Sequence, residues 1–141
     1  MNAAMNNAEA VMRRQFGLDT GPQTDPFARS QGTDHIHPDI AFSLFGMTGT
    51  KEEGRGRDAF IAFTTGCLAA LADHRDEILD IIGIDEQCVF VRARAYRQSA
   101  ATGEALSYEW STLSRIEDGR ITYVTDMLDS DAQAFWGRIR G

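Results

Sequence analysis

The sequence predicts an α+β domain, a layer of helices closed over one face of a strongly bent antiparallel sheet. Three observations carry that expectation. Amphipathic helical periodicity comes early in the chain and again at its end, long alternating segments crowd the second half, and a short Glu117-Asp118-Gly119 turn joins two of them. Helices gathered ahead of an antiparallel meander pack on it as a separate layer. Glycine reaches positive φ without a Cβ clash, so the turn is read as a hairpin. At 141 residues the chain is one domain, 1–141, long enough for a core that also encloses an apolar pocket.

Taken in order, Ala8, Val11, Met12 and Phe16 share one helical face, and Gly17 follows as a C′ residue. Residues 18–26 hold Asp19, Gly21, Pro22, Asp25 and Pro26, a linker whose prolines interrupt regular structure before a short helix at 27–34. The apolar run at 40–45 reads as a buried strand ending at Gly46, and 47–56 as a loop rich in glycine and charge. Asp58 then precedes Phe60, Phe63, Cys67, Leu68 and Leu71, the main core helix, with its acid in the first turn where the helix dipole favours it. Strands are expected at 78–84, 88–98, 106–116 and 120–128, making a four-stranded meander. A last helix at 131–139 offers Ala132, Phe135, Trp136 and Ile139 to the core.

Charge narrows the partners. Fourteen basic against 21 acidic side chains leave a net charge of −7, which repels nucleic acid and anionic membrane alike. A small, apolar ligand suits this chain better. Cys67 and Cys88 are too few for a disulfide framework and read as buried free thiols in a reducing compartment. No segment approaches the ~18 apolar residues of a membrane span, and residues 1–7 lack both a basic and an apolar signal region. A soluble, cytoplasmic protein is the expectation.

The candidate chemistry is concentrated in a few side chains. In 121–128, Ile121, Tyr123, Thr125 and Met127 alternate with Thr122, Val124, Asp126 and Leu128, so Asp126 shares a sheet face with a valine and a leucine. Burial there would raise its pKa toward neutrality and suit it to proton transfer; the plainer alternative is a strand-end acid accepting backbone N–H groups. His74, within Asp73-His74-Arg75-Asp76-Glu77, is either part of a solvated turn or an inward-pointing base with a carboxylate orienting it. His35, His37 and Asp39 have strand-like ligand spacing, but no glutamate follows in 41–44, so no metal is expected. Tyr108 and Trp110 are core or ligand contacts, each with a polar handle that burial must satisfy.

Three stretches resemble the nuclear transport factor 2-like superfamily, the cone-shaped, cystatin-like fold of SnoaL-like polyketide cyclases, ketosteroid isomerases, scytalone dehydratases and limonene epoxide hydrolases. They are Gly56-Arg57-Asp58-Ala59-Phe60, the Glu-Asp-Gly-Arg-Ile turn, and Thr125-Asp126-Met127-Leu128-Asp129, which is similar to the Arg-Asp-Tyr-Phe-Asp end of the epoxide hydrolases. The resemblance implies that Asp126 is the pocket aspartate, and that Phe42, Leu44, Tyr108, Trp110, Val124 and Leu128 line a substrate pocket. It also likens His74 to the dehydratase base and Asp19 to the aspartate that orients it. Departures are specific too: the hydrolase Arg-x-Asp pair falls on Ala93 and Ala95 in a gapless register and on Arg92 and Arg94 one residue away, with no acid either way, the isomerase base falls on Leu44, and the second dehydratase histidine has no counterpart.

The resulting expectation is a SnoaL-like enzyme, a lyase or isomerase of dehydratase or cyclase type. It would work without a cofactor, by acid–base chemistry of Asp126, His74 and Asp19 on a small apolar hydroxy- or oxo-compound. The alternative is a non-catalytic ligand-binding or dimerisation module of the same fold, with epoxide hydrolysis behind both. A homodimer through the outer sheet face is expected as well, because Phe90, Tyr96, Leu113, Ile121, Tyr123 and Met127 mix with Arg92 and Arg94 on the faces away from the pocket.

Overall fold

The computed structural model describes residues 7–16 and 35–139. The linker at 18–26, the short helix at 27–34 and Asp19 fall outside the described residues. The first helix, α1 (Asn7–Gln15), buries Ala8, Val11 and Met12 along its predicted face, with Phe16 just beyond it. Next come β1 (Ile36–Phe45), β2 (Lys51–Arg55), α2 (Arg57–Ala69), β3 (Leu71–Asp85), β4 (Cys88–Ser99), β5 (Ala105–Glu117), β6 (Arg120–Leu128) and α3 (Ser130–Arg138).

The six strands form one curved sheet in the order β2-β1-β6-β5-β4-β3. The expected meander β3-β4-β5-β6 is antiparallel throughout, and its last turn is the Asp118-Gly119 pair with φ of 52° and 75°. Two consecutive positive φ values make the hairpin turn that matches strand twist. Only the junction between β1 and β6 is parallel. The β3–β4 ladder slips register at Leu71/Asp73, Ile78/Asp80 and Gly83/Asp85, and such irregularities bend a sheet.

Alternation decides what faces inward. On β4, Val89, Val91, Ala93 and Ala95 are buried, and Arg97 and Ser99 continue the same face. The main core joins α1, β1 and the start of α2 to this face; a second cluster joins Cys67 to Phe135, Trp136 and Ile139. Helix α2 opens at Gly56, whose φ of 100° is open to glycine and strained for other residues.

Four expectations change. Residues 47–56 are not all loop, because Lys51–Arg55 pairs along β1 as an edge strand; its exposed, charged sequence carries no apolar alternation to announce it. Strand β3 begins at Leu71, so Leu71 leaves the helix and His74 lies within the strand, held by ladder bonds that do not depend on side chains. Ile121 is buried rather than outward-facing, since a register shift at Arg115/Ile116 interrupts the alternation of β6. Cys88 is half-buried at the start of β4, and both thiols are free.

Candidate active site

The inner faces of β5 and β6, with α1, β1 and α2 beside them, line a partly open cavity of about 150 Å³. Asp126 reaches it because β6 alternates cleanly beyond its irregularity, turning Val124, Asp126 and Leu128 inward. Phe45 N–H donates to Asp126 Oδ1 at 3.0 Å. Burial among apolar walls pushes the carboxyl up to about 6, against the opposing pull of that hydrogen bond and of Lys51. Lys51 itself donates to the Thr125 hydroxyl.

Of the side chains expected on the wall, Leu44, Tyr108, Trp110, Val124 and Leu128 line the cavity with Asp126. Phe42 does not. Its ring lies against Gly54, where an added Cβ would come within 2.3 Å, and packs 5.6 Å from the rings of both Phe60 and Phe63. The missing side chain at Gly54 provides the space that draws this ring away from the cavity and under α2.

The polar handles of Trp110 and Tyr108 are already engaged. Trp110 Nε1 donates to Asp76 Oδ1 at 2.7 Å, and Trp136 Nε1 donates to the Tyr108 hydroxyl at 2.9 Å. Burial raises the Tyr108 pKa, so the phenol keeps its proton. Asp76 also forms a bidentate pair with Arg97, at 2.8 and 2.9 Å, with side chains 0% and 1% exposed. His74 stands directly across from Arg97 in the β3–β4 ladder, half-buried, and is not among the residues lining the cavity. Asp126 and His74 are therefore not brought together on one cavity wall. His37 Nδ1 accepts the Asp39 N–H at 3.0 Å.

Sequence reasoning overlooked Gln15, Cys67, Thr112 and Ser114 on the same wall. The signal for two of them was present, because Thr112 and Ser114 continue the Tyr108, Trp110 alternation on β5. Thr112 faces Asp126 in the ladder. Cys67 is no nucleophile here: burial first, then the charges of Glu52 and Asp126, push its thiol up to about 12.

A curved sheet folded around an apolar pocket is the arrangement of the nuclear transport factor 2-like superfamily. The model of the SnoaL-like domain matches residues 30–124, and the chain belongs to that family. Among solved structures, a putative SnoaL-like polyketide cyclase from Jannaschia is 14% identical with a TM-score of 0.73, covering 100% of this chain and 97% of its own. An NTF2-like protein of unknown function from Burkholderia pseudomallei is 17% identical with a TM-score of 0.71, covering 93% and 96%. TerC, co-crystallised with polyporic acid, is 19% identical with a TM-score of 0.67, covering 96% and 98%. Such identities speak for the fold alone. No curated protein matches the chain significantly by sequence.

Proposed function

We propose that this SnoaL-like domain is a proton-transfer enzyme, a lyase or isomerase of the cyclase or dehydratase type. Its substrate is a small, apolar hydroxy- or oxo-compound. The observation that carries the reading is Asp126, a carboxylate in an apolar cavity with its pKa raised to about 6. A group that titrates near neutrality takes and returns protons at similar driving force, which is what a general base that becomes a general acid requires. Phe45 N–H holds one oxygen of the carboxylate in place. In the first half of the reaction, Asp126 takes a proton from the carbon beside a carbonyl or from a hydroxyl. In the second half it returns that proton elsewhere on the same molecule, so no external acid or base is consumed.

Two structural neighbours, the Jannaschia protein and one from Xanthomonas campestris, are putative polyketide cyclases, which supports the reading at the level of class. The walls set size and apolarity, and a cavity of this volume holds a group about the size of benzene. With His74 off the wall and Trp110 Nε1 committed to Asp76, the proton chemistry rests on Asp126, and Trp110 contributes packing.

The binding-module reading has one observation in its favour: the Phe45 N–H bond is the backbone contact that a merely structural Asp126 would make. The two readings separate in deuterium oxide. A panel of small cyclic ketones and hydroxyketones is incubated with the protein, and loss of C–H signal is followed by proton NMR. Wild type should exchange at least one member faster than Asp126→Asn by ~10²–10⁴. Equal rates for the two proteins across the panel leave only the binding module.

A further inference from the structure

Ser114 is buried in the cavity wall without a hydrogen-bond partner among the described residues. It lies on the inner face of β5, opposite Val124, and is 2% exposed. Its Oγ makes no hydrogen bond to any described residue, although a hydroxyl can both donate and accept. Two other hydroxyls on the wall are engaged: Thr64 Oγ1 donates to the carbonyls of Phe60 and Ile61, and the Tyr108 hydroxyl accepts from Trp136. Buried polar groups are nearly always paired, so an orphaned hydroxyl facing a cavity points to a missing group rather than to a packing role.

The ladder locates that hydroxyl relative to Asp126. Asp126 pairs with Thr112, and Ser114 is the next inward residue of β5, diagonal to the acid. Diagonal neighbours on one sheet face stand about 7 Å apart. Val124 and Thr112 flank that diagonal, Val124 beside Asp126 on β6 and Thr112 beside Ser114 on the inner face of β5, with Ile121 beyond. Two polar points at opposite corners of that face, in a largely apolar pocket of about 150 Å³, describe the two ends of one ring.

We propose that Ser114 Oγ is a second polar anchor of this cavity, and that its ligand is a small ring with oxygen functions at opposite positions, one meeting Asp126 and the other Ser114. The proposal rests on the cavity being the substrate site, and not on Asp126 being a catalyst. By holding one oxygen, Ser114 turns the opposite edge of the ring toward the Asp126 carboxylate.

The test compares benzene-1,4-diol, kept under argon, with 4-methylphenol, which has the same shape but one oxygen fewer. Each is titrated into ¹⁵N-labelled wild type, Ser114→Ala and Asp126→Asn, with binding read from amide shifts. Wild type should hold the diol about tenfold more tightly than the methylphenol, the effect of one additional buried hydrogen bond. Ser114→Ala should bind the two alike, with its affinity for the methylphenol unchanged and its melting temperature no lower than wild type. Asp126→Asn should keep the preference, because its amide still meets one oxygen while Ser114 meets the other. Equilibrium titration requires no turnover, so a failed exchange experiment with an intact diol preference removes the catalytic reading alone. An equal preference in wild type and Ser114→Ala, or no binding of the diol, overturns the Ser114 proposal.

Discussion

At the scale of single residues, Asp126 is held at the expense of stability. Its folded-state pKa of about 6 lies above the ordinary 3.8, so the folded chain binds that proton more tightly than the unfolded chain does. Stability is greatest with the carboxyl protonated, declines as pH rises from about 4 through about 6, and is then flat. The difference corresponds to about 3 kcal/mol. Asp126→Asn keeps an oxygen for the Phe45 N–H but carries no charge. Its melting temperature should exceed that of wild type by roughly 6–10 °C at pH 8, with the gap closing at pH 4. Thermal denaturation of both proteins across that range checks it, and a constant gap would remove the charge as the cause. The position of Asp126 was legible from the alternation of one strand. The displacement of Phe42 was not, because it depends on Gly54 in a neighbouring strand and on the rings of α2, a contact that no local pattern encodes.

At the scale of elements, β3 is an edge strand bound to β4 by its ladder and by the Asp76–Arg97 pair. Trp110 Nε1 extends that attachment to β5. Arg97 Nη1 also donates to the carbonyls of Arg75 and Tyr96 at 3.2 and 3.0 Å, so the buried charge is well supplied with partners. Removing one member strands the other charge, and Asp76→Ala should lower stability by about 3–5 kcal/mol in urea denaturation. The double replacement Asp76→Leu with Arg97→Met should lose less than either single change, since no lone charge then remains. A double variant weaker than both singles would mean that the pair stabilises beyond its own burial. The strands that sequence pattern revealed are those with alternating apolar residues. In β2 and the first half of β3, Lys51–Arg55 and 72–77 are largely polar, and backbone pairing with an adjacent strand makes them sheet all the same.

At the scale of the whole molecule, the sheet has a second face. Ile82 and Ile84 are 50% and 58% exposed at one end of it, and Tyr123 and Met127 are 39% and 46% exposed on β6. We propose that this outer face meets a second copy of the chain in a two-fold contact burying on the order of 1,600 Å². Arg92 already pairs with Asp80 and Glu109 of its own chain, and Arg94 with Glu77, so apolar contact would carry such an interface more than new ion pairs. Light scattering at micromolar concentration should return about twice the 15.6 kDa of one chain, and a monomer mass would exclude the dimer.

The parallel seam between β1 and β6 has a kinetic consequence. It pairs Ile36 with Ile121 and Ser43 with Thr125, and the hydrogen bond from Phe45 to Asp126 spans 81 positions of the chain. Contacts this distant in sequence require closure of a large loop, and they form after the local hairpins of the meander. The cavity cannot exist before that closure, because α1, β1 and β6 each supply part of its wall. A molecule bound there would therefore stabilise only what forms last, and its effect would fall on the rate of opening while refolding proceeds as before. Occupancy would then set how long each folded molecule persists.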